Sequence, residues 1–344
     1  MEVLPRGLLS VQSESDYTIN TAASSRETKI QLGGSTLRQW AVLKAEGRST
    51  LVIVEFCPKP APAAQQLPSA NPPSHTSPER LDNLVETLRM AVSDPKSFCV
   101  LYARGWYEVD SHYDALVYEL PRGLAIRQLL VCESLANILV DPKFRDLLAL
   151  DLGNRFKLAK AVARSLLAFH AVNWVHKSFY PENILVFGAV VNGTPKFDWS
   201  APYLVGFGTS RQTMEISGAN DFKLQWSYHI HNHPHRSNPE RHRPYKALYD
   251  IYSLGVILLE VGRTASLTLS NSSESTNWGV GRDQREIRDN LIDEAMKLPK
   301  MVGKEYRDVV LTCLKDELDV AEVEGLLADE FRTRVCQKLD SIVV

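Results

Sequence analysis

Five histidines cluster in one short stretch of the chain, and imidazole is a common ligand of transition metals. Four of them alternate in SYHIHNHPHR and a fifth follows: His229, His231, His233, His235 and His242. Alternate residues of an extended segment share one side, so three of these rings could approach a single metal ion. No carboxylate or cysteine lies close in sequence to complete the site. We therefore expect a solvated loop here rather than a metal centre.

Two other segments have the order and spacing of motifs that serve phosphoryl transfer. HKSFYPEN spans 176–183 and YLVGFG spans 203–208. In this order they resemble the H-R-D-x-x-x-x-N catalytic loop and the D-F-G loop of protein kinases. Downstream, NPE at 238–240 matches the A-P-E motif at two of three positions, and DIYSLG at 250–255 matches the opening of the long buried helix of the kinase helical lobe. Four matches in register are far more specific than one.

The closer resemblance is to the kinase-like domains of filamentous fungi that often follow a HeLo-type prion-inhibition and cell-death domain. The shared segments are WVHKS from Trp174, ENIL from Glu182, PYLVGF from Pro202 and DIYSLGVILLE from Asp250. The resemblance covers about residues 28–342 and implies a bilobal, α+β protein-kinase-like fold with a signalling role. No HeLo domain precedes residue 28, so we expect either a stand-alone relative or a sequence that lacks its front end.

The residues that perform catalysis in that family are replaced here. Ser178 stands where a kinase has the Asp that accepts the substrate proton, and a positioned base contributes about 10²–10⁴ in rate. Tyr180 replaces the lysine of the same loop, and Gly206 replaces the Mg²⁺-binding Asp before Phe207-Gly208. Asn183 alone remains as a metal ligand, and one neutral amide binds a hard divalent cation poorly. The resemblance therefore implies a pseudokinase.

The nucleotide pocket is also altered. The expected G-x-G-x-x-G loop retains only Gly33-Gly34, which is more typical of a hairpin turn. Glu55 stands in place of the V-A-I-K lysine, where a carboxylate would repel phosphates and a helix glutamate such as Glu86. Glu119 is assigned to the pocket by its position alone. Two lysines could replace the missing one, but each ends a strand and is expected at the solvated surface: Lys44 and Lys59.

The motif residues that remain can be explained by structural roles. His176 is expected to shape its loop by packing and hydrogen bonding. Asp250 begins an apolar helix, so we expect a buried acceptor that ties this helix to backbone N–H groups. Glu240 is expected to form half of a structural ion pair. The residues that hold the fold remain and those that perform the chemistry are missing.

Periodicity and turn residues predict a small lobe of five strands and one helix, followed by a mainly helical lobe. We divide the chain into an extension at 1–27, a small lobe at 28–120 with a Pro-rich loop at 58–78, and a large lobe at 121–344. The predicted strands cover 28–32, 39–43, 51–56, 98–109 and 113–120, with a turn at Glu46-Gly47, and two short strands flank the turn Asn192-Gly193 at 184–187 and 190–191. Predicted helices start at Pro78 and cover 154–175, 251–261, 306–314 and 331–342, and a Ser/Thr-rich mobile loop covers 264–276.

Composition sets the wider limits. The 344 residues carry 39 basic and 41 acidic side chains, a balance that argues against nucleic-acid or membrane-surface binding. Five cysteines without a CxxC spacing are typical of reduced thiols in a cytoplasmic protein. From the residue pattern we expect neither a signal peptide nor a membrane-spanning segment.

We expect a catalytically inactive kinase-fold signalling or scaffold module that binds protein partners, in fungal incompatibility or cell-death signalling as the resemblance implies. One alternative is a divergent Ser/Thr-type protein kinase that transfers phosphate from ATP to a protein and uses a displaced acid, Asp198 or Asp221. We expect Asp198 to lie exposed in a turn at 196–200. The other alternative is a switch that binds ATP without hydrolysing it. No cofactor is expected, with ATP and Mg²⁺ left open, as is the oligomeric state.

Overall fold

The structure is a computed structural model of the chain. It describes residues 9–10, 38–45, 48–59, 78–93, 98–121, 130–209, 211–212, 230–236, 245–267, 283–318 and 326–343.

The first part of the chain forms an antiparallel sheet. Its strands are β1 (Leu9–Ser10), β2 (Arg38–Ala45), β3 (Arg48–Pro58), β4 (Ala103–Glu108) and β5 (Tyr113–Glu119). They lie in the order β1-β2-β3-β5-β4. Strand β3 is central and is buried on both faces, because Ile53 joins the main core while Val52 and Val54 belong to a smaller cluster on the opposite face.

Helix α1 (Pro78–Ala91) packs on this sheet beside β4. Its apolar side chains recur at helical spacing and are at most 1% exposed: Leu81, Leu84, Val85 and Leu88. Each such burial stabilises the fold by about 1.5–3 kcal/mol. Glu86 lies on the opposite, exposed side of the helix.

A second antiparallel sheet contains β6 (Leu130–Ser134), β8 (Ile184–Val191) and β9 (Thr194–Leu204), in the order β6-β8-β9. The turn between β8 and β9 has positive φ angles of 51° at Asn192 and 77° at Gly193, as a two-residue hairpin of type I′ requires. Two short strands, β7 (Trp174–Val175) and β10 (Arg211–Gln212), pair with each other.

The remaining elements are helices. They are α2 (Leu135–Val140), α3 (Pro142–Ala149), α4 (Leu152–Ala171), α5 (Ala247–Arg263), α6 (Gln284–Ala295), α7 (Pro299–Val302), α8 (Lys304–Leu314), α9 (Leu326–Phe331) and α10 (Gln337–Ser341), with a π-helical turn at Arg332–Cys336 joining the last two. Helix α5 is buried on all sides and contacts α4 and α8. One continuous apolar core extends from β3 through α4 and α5 to α10. Among the described residues, no helix is both long and apolar enough to cross a membrane.

Most of the predicted elements lie within the described residues and are confirmed. The strands at 39–43, 51–56 and 113–120, the helix at Pro78 and the helices at 251–261 and 306–314 all form. The strands predicted at 184–187 and 190–191 are one continuous strand, and the helix predicted at 331–342 begins earlier, at Leu326. The strand at 28–32, nearly all of the Pro-rich loop and most of the Ser/Thr-rich loop lie outside the described residues.

Three predictions on individual segments were wrong. The strand expected at 98–109 starts at Ala103, because Val100 instead forms an isolated parallel bridge to Leu204. The helix expected to reach residue 175 ends at Ala171, and β7 follows it. Asp198 lies within strand β9 rather than in a turn, although it is exposed as expected.

Candidate functional site

The candidate site lies where β2 and β3 meet two loops of the second part of the chain. One loop follows β7 and ends in a 3₁₀ turn at Pro181–Asn183, and the other follows β9 and ends in a 3₁₀ turn at Phe207–Thr209. The pairing of Ile184 with Leu204 and a hydrogen bond from the Val205 amide to the Asn183 carbonyl hold the loops close together.

Both polar atoms of the Asn183 side chain are engaged. Its Nδ2 atom donates to the Ser178 carbonyl oxygen at 2.7 Å. Its Oδ1 atom accepts from Nη1 of Arg38 at 2.6 Å, and Nη2 of Arg38 donates to the Glu182 carbonyl oxygen at 2.7 Å. The amide oxygen that the sequence resemblance assigns to a metal therefore faces a guanidinium.

Glu55 completes this arrangement from the neighbouring strand. The β2–β3 register places Arg38 directly opposite Glu55, so that both side chains lie on one face of the sheet. The Glu55 Oε2 atom accepts from the Gly206 amide at 2.7 Å and lies 3.7 Å from Nη1 of Arg38. Burial raises the pKa of Glu55, while Arg38 and the backbone amides of residues 206–208 act in the opposite direction.

Gly206 is constrained by both its backbone and its neighbour. Its φ angle is +85°, a region that favours glycine. A Cβ atom built on Gly206 would lie 2.3 Å from the Asn183 side chain. Gly206 thus carries no side chain, and the Asn183 side chain fills the space that one would need.

Phe207 and Gly208 anchor their loop to the core. The Phe207 ring is fully buried and lies 5.2 Å from the Phe169 ring and 4.8 Å from the His176 ring. The Gly208 carbonyl oxygen accepts from Nη2 of Arg80 at 3.0 Å, which ties the loop to helix α1. Arg80 thus connects this loop to helix α1, and the Phe207 ring connects it to Phe169 of helix α4.

His176 is buried and connects the two loops. Its Nε2 atom and the Val205 carbonyl oxygen are 2.9 Å apart, and the ring packs edge-on against Phe179. Burial lowers the pKa of His176 to about 4, with Asp250 and the Val205 carbonyl opposing this shift. The ring is therefore neutral at neutral pH and donates to a backbone carbonyl, consistent with the expected shaping of the loop.

Asp250 accepts hydrogen bonds from the same loop. Its carboxylate accepts from the His176 amide at 2.7 Å, the Lys177 amide at 3.0 Å and the Tyr245 hydroxyl at 2.7 Å, and His170 Nε2 lies 3.4 Å away. Burial alone would raise the pKa of Asp250, but these imidazole and hydroxyl partners hold it below its usual range. The hydrogen bonds are those that the sequence analysis expected of a buried acceptor.

The histidine stretch differs from its prediction. His231 and His233 are 2% and 0% exposed, so the expected solvated loop is wrong at these two positions. His231 Nε2 lies 3.0 Å from Glu260, and His233 Nε2 lies 2.8 Å from Asp316. Their carboxylate partners come from distant parts of the sequence, which a local search does not detect. His235 is exposed, and His229 and His242 lie outside the described residues. Within the described part of the chain no group of three or more metal-ligand side chains occurs.

Tyr180, which the sequence resemblance aligns with a kinase lysine, packs against this stretch. Its hydroxyl donates to Asn232 Oδ1 at 3.0 Å, and its ring lies 5.8 Å from the His231 ring. The residue therefore connects the catalytic-loop segment to residues 230–236 by its side chain. A neutral phenol in this setting does not supply the positive charge of a lysine.

The other pocket residues do not converge on Asn183. Glu119 lies 3.4 Å from Arg104 and is only partly buried. Lys59 pairs with Glu108 at 2.7 Å and Asp114 at 3.2 Å, so it is not at the simple solvated surface that the sequence suggested. Glu86 is exposed on helix α1, whereas Glu55 is buried. Three predicted residues lie outside the described residues: Gly33, Gly34 and Glu240.

Arg38 is the site residue that sequence reasoning missed. A signal was present, because the predicted turn at Glu46-Gly47 pairs Ala45 with Arg48. Seven positions before Ala45 on β2 and seven positions after Arg48 on β3, the same antiparallel register places Arg38 opposite Glu55. A lone carboxylate on a buried strand requires a charge partner, and the cross-strand position is where it is expected.

Comparison with known proteins assigns a family to the chain. Residues 72–339, most of the sequence, match the family described as "Domain of unknown function (DUF7580)", and the chain belongs to this family. No curated protein matches the chain.

Proposed function

We propose that the protein is a catalytically inactive, kinase-fold signalling module that acts by binding protein partners. The observation that carries the proposal is the contact of Arg38 Nη1 with Asn183 Oδ1 at 2.6 Å, beside the Glu55 carboxylate bound to the Gly206 amide. Protein groups of both charges thus occupy the place that the sequence resemblance assigns to a metal ion and phosphates, which supports the proposal.

The residues at this place do not fit a Mg²⁺–nucleotide complex. Mg²⁺ requires near-octahedral oxygen ligands and is usually bound by carboxylates. Asn183 Oδ1 already accepts from a guanidinium, which would repel a cation, and Gly206 has no side chain. Glu55 is buried at 4% side-chain exposure and would repel phosphates. No catalytic step is therefore assigned to a bound nucleotide.

No displaced acid supports the alternative of a divergent kinase within the described residues. Asp198 is exposed on β9 and accepts from the amide and hydroxyl of Ser200. It lies six residues from Leu204, the partner of Ile184 in the β8–β9 register. At about 3.3 Å per residue this places it about 20 Å along the strand from the Asn183 end. Asp221 lies outside the described residues.

The surviving motif residues support a structural role for the fold. Asp250 and His176 hold the loop that ends in Asn183, and Phe207 anchors the other loop in the core. A protein that retains these contacts and loses its acids can present shaped surfaces without transferring phosphate. A setting in fungal incompatibility or cell-death signalling follows from the sequence resemblance alone.

Phosphate transfer and nucleotide binding by the purified chain test the proposal. The melting temperature is measured with ATP and with ATP plus Mg²⁺, and phosphate incorporation is assayed on the same sample. We expect neither a thermal shift nor incorporation. Incorporation that scales with protein concentration and disappears in Asn183→Ala, Asp198→Asn or Asp221→Asn would overturn the proposal. A Mg²⁺-independent shift without incorporation would favour the nucleotide-binding switch.

A further inference from the structure

The surroundings of Glu55 are those of a bound anion. The groups that converge on its carboxylate are donors: the Gly206 amide at 2.7 Å and the Arg38 guanidinium at 3.7 Å. Burial raises the pKa of Glu55, and the Arg38 charge and the amides of Phe207 and Gly208 act against this rise. Successive backbone amides beside a guanidinium are a donor set that recurs in sites for oxyanions.

The Glu55 carboxylate does not satisfy all the hydrogen-bonding groups around it, nor is it fully satisfied by them. Glu55 Oε1 and Arg38 Nε are buried, and neither has a hydrogen-bond partner in the part of the chain that the structure describes. Arg38 is 4% and Glu55 3% exposed, so bulk water does not compensate. A backbone-tethered carboxylate cannot adjust its position as a free anion would. These unused groups point to a site for an oxyanion rather than to a close-fitting ion pair.

We propose that Arg38 and the Gly206 amide form an oxyanion site, that the chain fills this site with its own Glu55 carboxylate, and that a small carboxylate is its matching free ligand. This inference deepens the proposed function, on which its biological meaning rests, because it identifies a built-in competitor that keeps phosphates out. An intramolecular ligand on even a flexible link has an effective concentration in the millimolar range, and strand β3 holds this one in place.

Acetate provides a direct test. Glu55→Ala removes one methylene group and the carboxylate, and these are the heavy atoms of acetate. We expect acetate to raise the melting temperature of Glu55→Ala saturably, beyond the effect of chloride at equal ionic strength and pH 7.5. Because the site remains filled in the wild type and in the isosteric Glu55→Gln variant, neither should show the acetate-specific increase. The double variant Arg38→Met/Glu55→Ala should lose it, because it lacks the guanidinium.

An acetate effect on Glu55→Ala no larger than that of chloride would overturn the inference, and so would an equal effect on the double variant.

If Glu55→Ala folds only with acetate, recovery of native circular dichroism is the readout. If Glu55→Ala folds neither in acetate nor in chloride, the melting temperature of Glu55→Gln becomes the test of the inference. The inference requires a melting temperature several degrees below wild type at pH 7.5 and partial recovery in Arg38→Met/Glu55→Gln. A wild-type melting temperature for Glu55→Gln would refute it. Failure here leaves the proposed function standing, because that function fails only on phosphate transfer or nucleotide binding by the wild type.

Discussion

Replacing Gly206 by Asp would introduce the carboxylate that protein kinases carry in the metal loop that residues 206–208 resemble in sequence. The structure predicts a loss of stability instead of a gain of activity. A non-glycine residue at a φ of +85° costs about 1–2 kcal/mol. The new Cβ atom would also lie 2.3 Å from the Asn183 side chain, which must move away.

The cost of moving Asn183 follows from its hydrogen bonds. The charged bond from Arg38 contributes about 1.5–3 kcal/mol, and the bond to the Ser178 carbonyl contributes about 0.5–1.5 kcal/mol. With the backbone term, Gly206→Asp should lower the free energy of unfolding by about 3–6.5 kcal/mol.

Gly193→Asp is the matched control. Its φ of +77° is similar, but nothing lies within 4 Å of a Cβ atom built there. It should lower the free energy of unfolding by about 1–2 kcal/mol, the backbone term alone. Equilibrium urea unfolding, followed by tryptophan fluorescence, measures both variants. Equal losses in the two variants, or phosphate transfer by Gly206→Asp, would refute the reasoning.

Three further changes probe the same network by urea unfolding. Arg38→Met leaves Glu55 buried without its cation and should lower the free energy of unfolding by about 3–5 kcal/mol, whereas Arg104→Met, which removes a half-exposed arginine, should cost at most about 1 kcal/mol. The pKa of His176 is about 4 in the folded state and 6.5 in the unfolded state. Its contribution to the free energy of unfolding is therefore complete above pH 6.5 and is lost as the pH falls from 6.5 to 4. The difference between wild type and His176→Gln should shrink by about 2 kcal/mol from pH 7.5 to pH 5, and a constant difference would contradict the burial argument. Asp250→Asn puts an amide NH₂ group in place of a carboxylate oxygen that accepts a buried hydrogen bond, so it should lower the free energy of unfolding by about 3 kcal/mol. Asp198→Asn, at an exposed position, should have a negligible effect.

Local patterns predicted the elements whose burial follows from a short repeat. Leu81, Leu84, Val85 and Leu88 recur at helical spacing, and the apolar run of α5 is too uniform for a surface helix. Strand β6 was missed because LVCES is short and its partner strand β8 lies more than 50 residues further along. Such pairing depends on tertiary contacts that periodicity does not contain.

The candidate site divides in the same way. The absence of acids at Ser178 and Gly206 is visible in the sequence itself. The contact of Arg38 with Asn183 joins residues 145 positions apart, so no local spacing predicts it. The burial of His231 and His233 was missed for the same reason, because their partners Glu260 and Asp316 lie 29 and 83 positions away. Only the structure shows these contacts between side chains that are distant in the sequence.

Calorimetric titration of the wild-type chain with ATP in the presence of Mg²⁺ tests the central claim most directly. Because the proposed function assigns the Arg38 guanidinium and the Glu55 carboxylate to the places of the metal ion and the phosphates, the account predicts no binding heat above that of dilution. Saturable binding of one ATP per chain that requires Mg²⁺ and is lost in Asn183→Ala would contradict it.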